Sequence, residues 1–141
     1  MKVYLSGPFD NRGKVRILAE SLKRRKHEIT FDWYDVPAVE KNIEEYNFAA
    51  KSVYDAIKNS EVLVIIITDP KQTHRSIFTE IGIALGMGKK ILIFNEDHNE
   101  HVLWLSSDRI ETTMYYHMNP EVKTFKVWSY LLNELENLST V

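Results

Sequence analysis

Val62-Leu63-Val64-Ile65-Ile66-Ile67 is an unbroken run of six apolar, mostly β-branched residues, closed by Thr68-Asp69-Pro70. A strand that is apolar at every position is covered on both faces, the condition of a central strand in a parallel sheet with helices on each side. Working outward in both directions, short β-rich runs alternate with longer stretches of helical period. Upstream, Val3-Tyr4-Leu5 reads as a first strand ended by Ser6-Gly7-Pro8, and a helix follows from about Arg12 to Lys26, with Val15, Leu18, Ala19 and Leu22 on one face. Glu28-Ile29-Thr30-Phe31 reads as a second strand. A long helix from about Val39 to Lys58 carries Ile43, Tyr46, Ala50, Val53 and Ile57 at apolar spacing. Downstream, a helix from about Arg75 to Met87 precedes the strand Ile91-Leu92-Ile93-Phe94. Residues 95–119 read as irregular. A strand at Thr124–Val127 leads into a C-terminal helix bearing Trp128, Leu131, Leu132 and Leu135. This alternation predicts an α/β fold: a flavodoxin-like, doubly wound, parallel five-stranded sheet in one domain spanning residues 1–141.

Composition narrows the function classes. The 141 residues are 44% apolar and 27% charged, an ordinary globular balance. No apolar run approaches the ~20 residues that span a bilayer, so no membrane partner is expected. The opening MKVYLSGPF reads as a strand rather than a signal peptide, which makes the cytoplasm the expected location. A net charge of −2 gives no general attraction to nucleic acid. The basic run Lys23-Arg24-Arg25-Lys26 sits where a helix C-terminus favours cations. There are no cysteines, hence no disulfides or thiolate metal sites. His98 and His101, with Asp97 nearby, are better read as a solvated turn than as metal ligands. Neither a metal nor a cofactor is expected.

In doubly wound sheets, ligands bind beyond the carboxyl ends of the strands, near the point where strand order reverses. Two turns lie there. The first, Ser6-Gly7-Pro8-Phe9-Asp10-Asn11-Arg12, combines a glycine that lets backbone approach a ligand with the start of a helix. Ser6 and Arg12 are candidates to bind a phosphate or sugar, and Phe9 to stack on a base; plain turn chemistry accounts for the same residues equally well. The second turn and helix run from Thr73 to Gly88. Between Ser76 and Gly88, Glu80 is the only charged residue. A lone carboxylate on so apolar a helix either faces solvent at a favourable dipole end or is held in a cleft for a purpose. Ile77, Ile81, Ala84 and Leu85 fill one face, which favours the cleft. Gly82 and Gly86 are expected to let the helix pack closely on the sheet.

Together these turns resemble the nucleoside 2-deoxyribosyltransferase family and its deoxynucleotide N-hydrolase relatives. The resemblance rests on MKVYLSGPF, on Asp55-Ala56-Ile57 through EVLVIII, and on FTEIGIALGMGKKILIF with its E-x-G-x-A block. It implies chemistry at the N-glycosidic bond of a nucleoside or nucleoside monophosphate, with Glu80 attacking the anomeric carbon to form a covalent glycosyl intermediate. It also implies a homo-oligomer, for which Trp104, Tyr115 and Tyr116 are candidate interface residues. The chain departs from the family pattern in three places. Val53 stands where an aspartate is frequent, and Asp55 lies about 200° around the helix from it. His74 stands where the transferases carry an aspartate, and Ser76 and Phe78 replace small glycines. His74 and Asp10 are candidates for delivering a proton to the departing base. Tyr4 and Phe9 are candidates for the base pocket, and Arg75 and Ser76 for a phosphate. Two other classes fit the same pattern: a TIR-like domain that cleaves NAD or signals, and a nucleotide-binding protein without turnover.

Overall fold

The computed structural model describes residues 1–36, 42–67, 75–96 and 122–140. Five parallel strands form one sheet in the order β2-β1-β3-β4-β5. They are β1 (Lys2–Ser6), β2 (Glu28–Ile29), β3 (Val62–Ile67), β4 (Lys90–Asn95) and β5 (Val122–Phe125). The helices are α1 (Arg12–Arg24), α2 (Ile43–Asn59), α3 (Arg75–Gly86) and α4 (Trp128–Ser139). This is the flavodoxin-like order, with its reversal between β1 and β3.

Side chains alternate across the sheet and divide the core in two. Val3, Leu5, Val62, Val64, Ile66, Leu92 and Phe94 pack with Val15, Ala19 and Leu22 of α1 and Leu131, Leu132 and Leu135 of α4. Tyr4, Leu63, Ile65, Ile67, Ile91 and Ile93 pack with Ala56 and Ile57 of α2 and Ile77, Ile81 and Ala84 of α3. All six residues of β3 are buried, as the apolar run at 62–67 requires.

Several boundaries differ from the sequence reading. The second strand has two residues rather than four, and β5 lies two residues earlier than expected. Helix α2 begins at Ile43, and its first turns run clear of the core: Ile43 is 74% exposed and Tyr46 49%. Only the later part of the Ile43–Ile57 apolar stripe meets the sheet. Gly82 and Gly86 are exposed, and a Cβ on Gly86 would meet nothing within 4 Å, so close packing is not the role of Gly86. Of residues 95–119, expected to be irregular, Asn95 ends β4, and 97–119 with Trp104, Tyr115 and Tyr116 lie outside the described residues.

Helix α1 ends two residues before the expected Lys26, through a backbone motif. The His27 amide donates to the Leu22 carbonyl at 3.1 Å and the Lys26 amide to that of Lys23 at 2.9 Å. This is a Schellman cap, which needs its next-to-last residue in the left-handed region. Lys26 takes that place at φ 67°. Helix α3 closes the same way, with Lys89 donating to Ala84 and Gly88 to Leu85, but there Gly88 holds the left-handed position at φ 71°. A lysine there costs roughly 1 kcal/mol that a glycine does not. Lys26→Gly is therefore expected to raise stability by about 1 kcal/mol, seen as a higher urea midpoint with an unchanged slope.

Candidate active site

Ser6 is the last residue of β1, and Tyr4 precedes it on the same face of the strand. Both point toward α3, whose Ile77, Ile81 and Ala84 seat the helix on the sheet. That seating carries Glu80, one residue before Ile81, across β3 to the carboxyl end of β1. The Ser6 hydroxyl donates a short hydrogen bond to Glu80 Oε2, and the Tyr4 hydroxyl donates to the same carboxylate. Tyr4 is 2% exposed, Ser6 3% and Glu80 9%; among the described residues Glu80 is the only buried carboxylate.

Burial governs the electrostatics. Desolvation penalises the charged form and pushes the Glu80 carboxyl up from 4.5 to about 7, against the hydrogen bonds from Ser6 and Tyr4, which lower it. The Tyr4 phenol is raised well above 10, first by burial and then by the neighbouring carboxylate, so it stays a donor. The result is a carboxyl poised between acid and base near neutral pH, held by two donors in an apolar wall.

The first turn carries out two separate tasks. A Cβ on Gly7 would lie 2.7 Å from Val15 Cγ2, so the glycine is required where β1 passes α1. Close packing within the protein therefore accounts for Gly7, and nothing beyond it is needed. Phe9, Asp10 and Arg12 are exposed, and the Arg12 guanidinium stacks 4.5 Å over the Phe9 ring. Asp10 makes no hydrogen bond or ion pair among the described residues. Arg75 and Ser76 form the first turn of α3, ahead of Glu80 on the same helix. His74 lies outside the described residues, and Val53 packs against the apolar cluster on the α2/α3 face.

One residue that composition and spacing did not single out supports the site. Strand β2 pairs with β1 only at Lys2 and Val3, so the Leu5 carbonyl has no strand partner on that side. Trp33, in a 3-10 turn at Trp33–Asp35, donates its indole N–H to that carbonyl at 2.6 Å. It packs against both core clusters and fixes the strand immediately before Ser6. The only sequence signal is a tryptophan directly after a strand too short to cover its neighbour.

Comparison with known proteins agrees with this architecture. Residues 3–129 match the family model described as nucleoside 2-deoxyribosyltransferase. No curated protein matches the chain. The structure resembles that of the CMP N-glycosidase BcmB from Clostridium botulinum, at 18% identity and a TM-score of 0.57, covering 96% of this chain and 99% of that one. It also resembles a 2-deoxyribosyltransferase from Bacillus psychrosaccharolyticus, at 21% identity and a TM-score of 0.62, covering 93% and 90%. At these identities the two structures speak for the fold.

A buried carboxyl of this kind weakens the fold, and the effect is measurable. Folded, Glu80 keeps its proton up to about pH 7; unfolded, it releases it near 4.5. The folded state binds more protons between those values, so its stability falls as pH rises through that window and then levels off. Glu80→Gln is expected to be the more stable protein at pH 8, by an amount of up to about 3 kcal/mol, and to match the native chain at pH 4. Urea unfolding at the two pH values measures it; an equal difference at both would mean that Glu80 titrates normally.

Proposed function

Because this chain belongs to the nucleoside 2-deoxyribosyltransferase family, we propose that it cleaves or transfers at the N-glycosidic bond of a deoxynucleoside or nucleoside monophosphate, with Glu80 as nucleophile. The observation that carries the proposal is the Glu80 carboxylate, buried at the carboxyl edge of the sheet with Ser6 and Tyr4 donating to it. In the ionised form, one Glu80 oxygen attacks the anomeric carbon as the bond to the base nitrogen breaks and its electron pair leaves with the base. The base takes up a proton, for which His74 and Asp10 are the candidates, Asp10 standing on the exposed turn after β1. Water or a second base then attacks the anomeric carbon and frees the Glu80 carboxylate, giving hydrolysis or transfer. Ser6 and Tyr4 hold the carboxylate in place, Phe9 and Gly7 line the turn beside it, and Arg12, Arg75 and Ser76 suit a substrate phosphate. On this reading the protein is a single-domain, cytoplasmic homo-oligomer that works without a cofactor.

A panel of deoxynucleosides, their monophosphates, CMP and NAD, followed by chromatography of the free base, tests the assignment. Base release from the nucleosides or nucleotides is expected, with Glu80→Ala slower by a factor of at least ~1000. Nicotinamide release from NAD alone would replace this reading with the TIR-like one. Binding without release would make the protein a nucleotide sensor. Full activity in Glu80→Ala would remove Glu80 as nucleophile.

The pH profile supplies a second check. The nucleophile must be ionised, so kcat/KM is expected to rise with pH and level off above about 7. Ser6→Ala removes a hydrogen bond that favours the ionised form. Its acid limb is expected to move up by about one pH unit, and Ser6→Thr to restore it. An unmoved limb would mean that Ser6 does not hold the carboxylate.

A further inference from the structure

The carbonyls of Met1, Val3 and Leu5 face the β2 side of β1, and each has a donor there. The Glu28 amide donates to Met1 at 2.9 Å and the Thr30 amide to Val3 at 2.9 Å. The chain then leaves the sheet, and the third donor is a side chain, the Trp33 indole. With an indole in place of a backbone amide, that rung of the ladder is controlled by the turn that carries Trp33.

The turn is itself held on two sides. Within it, the Asp35 amide donates to the Asp32 carbonyl at 3.0 Å and the Val36 amide to that of Trp33 at 3.1 Å. From α1, Arg16 donates through Nη2 to the Tyr34 carbonyl at 2.9 Å and through Nε to Asp35 Oδ1 at 2.6 Å. From inside, the Tyr34 side chain is buried among Val3, Leu5, Val15, Ala19 and Leu22. An exposed ion pair contributes little to stability by itself. Two bonds from one planar guanidinium to consecutive residues do fix an orientation.

The Leu5 carbonyl and the Ser6 amide belong to one planar peptide unit. Pinning its oxygen sets where the Ser6 Cα lies, and so where the hydroxyl meets Glu80. We propose that Trp33 and Arg16 are positioning residues of this site: Arg16 holds the Trp33–Asp35 turn against α1, and the Trp33 indole holds the Leu5–Ser6 peptide so that the Ser6 hydroxyl stays on the Glu80 carboxylate. Their part in catalysis rests on Glu80 being the nucleophile, as proposed above; the chain of contacts from Arg16 to Glu80 does not.

Carbon-13 NMR of protein labelled at the glutamate carboxyls follows Glu80 directly and needs no substrate. Among the described residues, Ser6 and Tyr4 of β1 are the groups that act on Glu80 besides burial. Trp33→Phe keeps an aromatic ring and changes no charge. It is expected to raise the Glu80 titration by about half a pH unit, because the Ser6 bond favours the ionised form and is loosened. Arg16→Lys, at an exposed position, keeps the charge and loses the fork; it is expected to move the titration the same way by less, and it carries the test if Trp33→Phe does not fold. In a Ser6→Ala background neither change should move it further, since the group they act through is gone. Were Trp33 only a packing residue, the smaller ring would admit water and lower the titration. A lowered or unmoved titration, or the same shift with and without Ser6, would overturn the positioning role. In the base-release assay Trp33→Phe is expected to lower kcat about tenfold and leave KM within about twofold; an unchanged kcat would remove both residues from catalysis. A native chain that releases no base would overturn the N-glycosidic reading, and the titration would still decide whether Trp33 acts through Ser6.

Discussion

Withdrawing one carboxylate from water is the constraint around which this site is built. A carboxylate in an apolar wall is unstable unless donors replace its lost hydration. Glu80 has two, the hydroxyls of Ser6 and Tyr4, and both come from one strand. They share a face because strand side chains alternate with period two, so residues 4 and 6 necessarily point the same way. The compensation is incomplete, and its incompleteness is chemically useful. Desolvation outweighs the two hydrogen bonds, leaving a group that changes charge near pH 7 instead of one locked as an anion. Full compensation would give a stable, weakly nucleophilic carboxylate; none would give a carboxylic acid at working pH.

The position of β1 therefore matters more than that of any other element, and the surrounding sequence serves to fix it. On one side it is paired with the fully buried β3, residue by residue from Val3 to Ser6. On the other, β2 lasts only two residues, and the indole of Trp33 takes over as donor to the Leu5 carbonyl. Below, Gly7 allows α1 to come within contact of the strand end at Val15. A residue slip in β1 would carry both hydroxyls to the other face and leave Glu80 facing Val3 and Leu5 without donors.

The parts of this arrangement that were legible in the sequence are those with local periodicity. The run at 62–67 fixed a central strand, and Glu80 stood out as a single charge on an apolar helix. The partner of Ser6 was not legible, because the contact joins residues 74 positions apart and a serine in a βα turn has several ordinary uses. The sequence presents Ser6 as a ligand group, and the structure adds that its hydroxyl meets the Glu80 carboxylate. The end of α1 was missed for a different reason, since a lysine rarely occupies the left-handed position of a Schellman cap. Periodicity also overstated burial in α2. It identifies which face of a helix is apolar and says nothing about how far the sheet extends beneath it, so Ile43 and Ile57 look equivalent in sequence and differ completely in exposure.

The departures from the family pattern bear on the same electrostatics. Val53, in place of a frequent aspartate, packs against the apolar cluster and adds no charge. A second carboxylate close to Glu80 would raise its proton affinity further by like-charge repulsion and couple the two titrations. With valine, Glu80 is the only buried carboxylate among the described residues, and within that set its charge state is set by burial, Ser6 and Tyr4. A retaining mechanism still needs an acid for the departing base, and among the described residues no second buried carboxyl is present. Asp10 stands on the exposed turn at the same edge. On the reading proposed above, with Asp10 as that acid, the proton would come from an exposed turn, while the proposed nucleophile, Glu80, is held in the buried wall of the site.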